Sequence, residues 1–181
     1  MKGPFSIEDL KTNKICKANG VSGVYIWGVK HNNKYIPLYV GKGKNVHERI
    51  FQHISRWRGG EYRIPKWEVI IGEQNQLKAY TLGKELSENE DLIYIPHGVN
   101  QYSDFLSNSE IQECIENVIK DFFCVWIEIK DSYLRDEEDE LASLIGKNKL
   151  ISSHRKDDTC KSKIIQDLYA KYWGGDKKTS P

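Results

Sequence analysis

Residues 39–53 read YVGKGKNVHERIFQH, and the reading of the whole chain turns on them. An extended run ends in Leu38–Val40, a glycine turn follows at Gly41, Lys42 and Gly43, and the pattern predicts a helix starting near Asn45. On such a helix Arg49 and His53 lie one turn apart on the same face, with Arg56 a further turn on, so they form a short basic ridge. The apolar stripe is Val46, Ile50, Ile54 and Trp57, and the ridge is expected along its border, half in the core and half in solvent.

Upstream, Gly23-Val24-Tyr25-Ile26-Trp27 reads as a strand and His31-Asn32-Asn33-Lys34 as the turn into Tyr35–Val40, so the two strands make a hairpin. At these residues the chain resembles the GIY-YIG nuclease superfamily, whose name describes two such strands, here Gly23-Val24-Tyr25 and Tyr39-Val40-Gly41. In that family a lysine often follows the second tyrosine by three, an arginine by ten, and a tyrosine or histidine by fourteen; Lys42, Arg49 and His53 stand at those places. Two tripeptides alone are a weak motif, whereas five polar residues in register across strand, turn and helix are specific.

The resemblance implies an α+β fold: a small antiparallel sheet, made of the hairpin plus a third strand and flanked by helices. The aromatic, β-branched run Phe122–Ile129 (FFCVWIEI) is expected to be that third, central strand, and Asp131–Ile145 a helix with Leu134, Leu141, Leu144 and Ile145 toward the core. The family also implies one glutamate on this helix, holding a divalent metal. Glu138 is the choice, because it precedes Leu141 by three and Ile145 by seven and so projects over the core edge, while Glu140 points sideways to solvent. Glu137 is the reserve. The asparagine that family members commonly carry after this helix has no counterpart, since Ile151-Ser152-Ser153 stand there and Asn148 lies earlier.

A chain of 181 residues suffices for a single domain over 1–181, with a section inserted around 67–120. No apolar run reaches the roughly 18 residues of a membrane span, and the first residues do not resemble a signal peptide, so a cytoplasmic protein without membrane contact is expected. Cys16, Cys114, Cys124 and Cys160 are scattered without ligand spacing, which indicates free, mostly buried thiols rather than a zinc site or disulfides.

The formal net charge of +1 conceals a segregation. Residues 30–67 carry nine Lys/Arg against two Asp/Glu, residues 68–140 five against eighteen, and residues 141–181 nine against four. A polyanion would be drawn to the ridge segment and repelled by the acidic middle, which gives a docking polarity in which Lys44, Arg56 and Arg58 contact nucleic acid. The acidic stretch is read as ordinary solvated surface.

Elsewhere, residues 6–18 read as a short helix with Ser6 as N-cap and Asp9 in the capping-box position. Trp67–Gly72 reads as a strand, Gln74–Leu86 and Glu110–Lys120 as helices, and Ser87–Ser109 as a loop whose aromatics Tyr94, His97, Tyr102 and Phe105 either stack on bases or pin it to the core. Asp157/Asp158 cap a last amphipathic helix that stops at Gly174-Gly175.

Phosphodiester hydrolysis needs a deprotonated water, positive charge on the phosphate and stabilisation of the departing oxygen. Tyrosine, with an ordinary pKa of about 10, is a poor base unless cations stabilise its phenolate, and Lys42 and Arg49 are expected close to both tyrosines. Tyr39 is then the general base, with Tyr25 or His53 assisting; Arg49 holds the non-bridging oxygens, and Mg²⁺ (or Mn²⁺) on Glu138 neutralises the leaving group, one carboxylate plus waters suiting Mg²⁺ better than zinc. The expected activity is that of a metal-dependent endonuclease acting on nucleic acid, DNA before RNA. The alternative is a non-cleaving nucleic-acid-binding module of the same fold. A third reading is a catalytic subunit that takes its specificity from a protein partner, since no zinc finger or helix-turn-helix is visible.

Overall fold

Alternating and β-branched residues at 23–31 and 34–43 form strands β2 (Gly23–His31) and β3 (Lys34–Gly43), joined by a two-residue turn in which Asn32 and Asn33 take φ of 48° and 62°. Asparagine is among the few residues that accept this left-handed conformation, and such a turn matches the twist of the flanking strands. The computed structural model describes residues 2–12, 20–72, 92–94, 102–130, 134–145 and 162–173. The remaining elements are β1 (Lys2–Phe5), α1 (Ile7–Lys11), α2 (Val46–Arg58), β4 (Ile64–Pro65), α3 (Trp67–Ile71), β5 (Leu92–Tyr94), α4 (Tyr102–Ser107), α5 (Ser109–Lys120), β6 (Phe122–Glu128), α6 (Leu134–Ile145) and α7 (Lys163–Trp173).

The result is a mixed α+β architecture on a four-stranded sheet, order β1-β6-β2-β3, every pair antiparallel. As expected, the Phe122 strand is central, but a strand the sequence reading missed lies on its far side. β1 is short and carries Gly3 and Pro4; proline is tolerated there because β1, like the Pro37-bearing β3, is an edge strand.

Strand alternation sends side chains into two apolar layers. Tyr25, Trp27, Val29, Cys124 and Trp126 face one layer with Val46, Ile50 and Trp57 of α2 and Ile111, Ile115 and Val118 of α5. Val24, Ile26, Val40, Phe123, Val125 and Ile127 face the other with Leu141, Ala142 and Ile145 of α6 and Ile165 and Leu168 of α7. Cys114 and Cys124 are free and buried, and burial pushes the Cys114 thiol up to about 12 and Cys124 higher, so neither is reactive near neutral pH.

Three expectations need correction. Trp67–Gly72 is not a strand: Trp67, Ile70 and Ile71 stand at i, i+3, i+4, and this helical spacing outweighs the β propensity of Val69, Ile70 and Ile71. The helix over 6–18 is shorter, since its Ser6/Asp9 capping box forms as read but Thr12 closes it, with 13–19 outside the described residues. The stretch 87–109 is not all loop, because β5 pairs with β4, and α4 drives Phe105 fully into the core against Tyr94 and the bare Cα of Gly60. Of its four aromatics, Tyr94 and Phe105 therefore pin the segment; His97 and the side chain of Tyr102 lie outside the described residues, as do 73–91, Asn148, Ile151–Ser153 and Asp157/Asp158. Ile70, Phe105, Ile111 and Cys114 share one core with α2, so the described parts of the inserted section are built into the fold. Among the described residues no helix is long and apolar enough to cross a membrane.

Candidate active site

Both glycines of the paired tripeptides are required by contact. A Cβ on Gly23 would lie 2.1 Å from the Ile127 carbonyl oxygen, and one on Gly41 would lie 2.6 Å from both Tyr25 Oη and Tyr39 Cε1. The tyrosine rings therefore rest on the Gly41 backbone, Tyr25 being its cross-strand neighbour. Tyr25, Tyr39 and Trp27 lie near-parallel, with Tyr25–Tyr39 centroids at 6.3 Å and Trp27–Tyr39 at 5.7 Å.

Helix α2 starts on Asn45, as its sequence predicts, with the Asn45 side chain accepting from Glu48 N, and it closes at Gly59. This phase lays Arg49 over Gly43 and brings His53 to the tyrosines, with Tyr25 Oη 2.7 Å from His53 Nε2 and the Tyr39 and His53 rings 4.3 Å apart. Arg49 lies within hydrogen-bonding reach of Tyr25 and donates through Nη1 to Gln52 Oε1 at 2.8 Å, a bond that steadies the guanidinium. The ridge expectation fails at His53, which is only 2 % exposed. Burial, reinforced by the charges of Arg49 and Arg56, lowers its pKa to about 3, so it is a neutral imidazole inside an aromatic cage and not a basic surface residue.

The second ring nitrogen, His53 Nδ1, bonds to Tyr62 Oη. Tyr62 follows the Gly59-Gly60 turn, packs its ring near Trp57, and lies within hydrogen-bonding reach of Arg56. Sequence reasoning overlooked it. Its one signal was an aromatic residue set between Glu61 and Arg63 just beyond the helix end.

The phenols do not ionise as expected. Burial, with smaller contributions from Tyr62 and Glu138, pushes Tyr39 up to about 12, and burial with Tyr39 pushes Tyr25 higher still; Arg49 opposes both shifts and loses. Lys42 is engaged elsewhere. Between Gly41 and Gly43, which face α2, strand alternation turns Lys42 to the opposite side of β3, where its Nζ lies 2.7 Å from Glu138 Oε2.

Glu138 thus approaches from the α6 layer, not from the α2 layer that carries Arg49. The two halves meet at the end of the edge strand β3, closely enough for the Glu138 charge to raise both tyrosines. Glu140 does not point idly into solvent: it accepts from Ser162 N at 2.8 Å and so secures the start of α7. Glu137 has its Oε2 buried without a hydrogen-bond partner among the described residues. Lys44 and Arg58 are exposed at the two ends of α2, and Arg56, also exposed, pairs with Glu61 at 3.4 Å.

The donors near the tyrosines are hard oxygens. Among the described residues no group of three His, Cys, Asp or Glu side chains could encase a metal ion. Glu138, 16 % exposed and next in sequence to Glu137 with its unpartnered oxygen, fits the one or two carboxylates with which Mg²⁺ is usually held alongside waters and phosphate oxygens. Comparison with protein-family models, with curated proteins and with solved structures returned no match to this chain.

Proposed function

We propose that the protein is a metal-dependent endonuclease of the GIY-YIG type, hydrolysing phosphodiester bonds in nucleic acid, DNA before RNA. The observation that carries this reading is the assembly of Tyr25, Tyr39, Arg49 and His53 over Gly41 and Gly43, with Lys42 and Glu138 at the same strand end. Solvated surface residues have no reason to be gathered in this way.

In this reading Arg49 binds the non-bridging phosphate oxygens, held in place by Tyr25 and Gln52. Tyr39, the more exposed of the two motif tyrosines, takes the proton from the attacking water. With a pKa raised to about 12 it begins as a phenol, so accepting that proton requires its own to leave at the same time to solvent water. His53 and Tyr25 hold the ring stack and exclude water from its floor. Glu138 would hold Mg²⁺ or Mn²⁺, which supplies Lewis-acid neutralisation of charge on the phosphate and its leaving oxygen. Lys44, Arg56 and Arg58 guide the backbone along α2. A protein partner then supplies any sequence specificity.

A second reading, a binding module that does not cut, is favoured by two observations: Glu138 is already neutralised by Lys42, and both phenols are protonated at neutral pH. The two readings part in one assay, cleavage of single-stranded, duplex and branched DNA and of RNA, with Mg²⁺ and with EDTA. Metal-dependent cleavage of any of these supports the nuclease; binding without cleavage supports the module.

A further inference from the structure

His53 is buried between two phenols, and hydrogen-bond satisfaction decides which of its nitrogens carries the proton. Its Nε2 meets Tyr25 Oη, and its Nδ1 meets Tyr62 Oη. An arginine charge also faces each phenol, Arg49 for Tyr25 and Arg56 for Tyr62.

Two arrangements are open to a neutral ring. If Nε2 carried the proton, Tyr25 Oη would accept from His53, and its own hydroxyl proton would be left without an acceptor at a residue 1 % exposed. An unmade hydrogen bond at a buried donor typically costs about 1–3 kcal/mol. If Nδ1 carries it, Tyr25 donates to Nε2, and Nδ1–H donates to Tyr62 Oη. Both ring nitrogens and the Tyr25 hydroxyl proton are then satisfied. The hydroxyl proton of Tyr62, which is half-buried at the mouth of the cage, is directed outward.

We propose that Tyr62 is a substrate-contacting residue of the site: held by His53 Nδ1–H, it donates its hydroxyl proton to a phosphate oxygen of the bound nucleic acid. Accepting a hydrogen bond from an imidazole polarises a hydroxyl and makes it a stronger donor, and the nearby charge of Arg56 supplies the positive potential that a phosphate seeks. Tyr25, His53 and Tyr62 thus form one hydrogen-bonded chain through the buried ring, with an arginine charge beside each end, Arg49 near Tyr25 and Arg56 near Tyr62. The neutral state of His53 over the physiological range agrees with it.

The inference rests on the nucleic-acid reading of the site but not on cleavage, and its test separates the two. Long-range ¹⁵N NMR of the imidazole in the wild-type protein is expected to show the Nδ1–H tautomer of His53; the Nε2–H tautomer would overturn the chain. Affinity for a fluorescent DNA duplex is then measured in Ca²⁺, for the wild type and for Tyr62→Phe, which keeps the ring. Tyr62→Phe is expected to weaken binding about tenfold, as for the loss of one hydrogen bond to a charged group, with an unchanged salt dependence and a lower melting temperature, because His53 Nδ1–H loses its acceptor, so affinity is read well below the melting range. Equal binding by the two proteins overturns the Tyr62 assignment and leaves the functional reading standing. A wild-type protein that binds no nucleic acid overturns both.

Discussion

The Lys42 ammonium and the Glu138 carboxylate meet at 2.7 Å across the end of β3, so the side chain best placed to hold a metal ion is occupied by a cation of the same chain. Lys42 is 36 % exposed and Glu138 16 %, a half-solvated pair of the kind worth at most about 1 kcal/mol. Lys42→Met is therefore expected to tighten Mn²⁺ binding up to about fivefold, read by calorimetry without nucleic acid. The gain should vanish in a Glu138→Gln background; a gain that persists there would place the ion on another residue.

Gly41 is the platform on which both tyrosine rings rest. Gly41→Ala puts a methyl group 2.6 Å from Tyr25 Oη and Tyr39 Cε1, and such overpacking typically costs about 1–3 kcal/mol. Thermal unfolding should show that loss, and cleavage should fall further than the loss of folded protein explains, because the rings must tilt. An alanine variant with wild-type stability and rate would mean that the stack carries no catalytic geometry.

The hairpin, the turn at Asn32-Asn33, helix α2 and the central strand were legible because each repeats one period over many residues and is closed by residues with a defined backbone preference. The gathering of Tyr25, Tyr39, Arg49 and His53 followed from that register. Three things were not legible. β1 is four residues long and held mainly by pairing with β6, a tertiary cause with no local pattern. The burial of His53 depends on Trp57 and Tyr62, which only the folded chain sets around it. The separation of Lys42 from the tyrosines needs the strand to continue through Gly43, whereas the glycines suggested a turn beginning at Gly41.

His53 makes stability depend on acid in a defined direction. Its folded pKa of about 3 lies below the ordinary value of 6.5, so its contribution is fully present above pH 6.5 and is lost as pH falls through that window toward 3. Each pH unit there removes up to about 1.4 kcal/mol for one proton. Denaturant unfolding at pH 7, 6, 5 and 4 should show a slope that is shallower in His53→Gln by about that amount; equal slopes in the two proteins would mean that the imidazole titrates freely.

Arg56 and Arg58 should set the salt dependence of nucleic-acid binding. Replacing both with alanine is expected to weaken affinity and lower the slope of log affinity against log salt by up to about 1.8 for duplex DNA, as for two lost phosphate contacts. The melting temperature should change little, since both arginines are exposed. An unchanged slope would move the groove away from the end of α2, toward the basic residues that follow Ile145.

The central claim is that Arg49 and Glu138 serve one reaction although they come from opposite layers of the fold. The most direct test is the single-turnover cleavage rate of Glu138→Gln and Arg49→Ala beside the wild type in saturating Mg²⁺, with binding followed in parallel. The account predicts a loss of at least 10²–10³ in rate for each, the typical effect of removing one preorganised electrostatic contact, while binding largely survives. A wild type that cuts nothing with Mg²⁺ or Mn²⁺, or a Glu138→Gln protein that cuts at the wild-type rate, would contradict it.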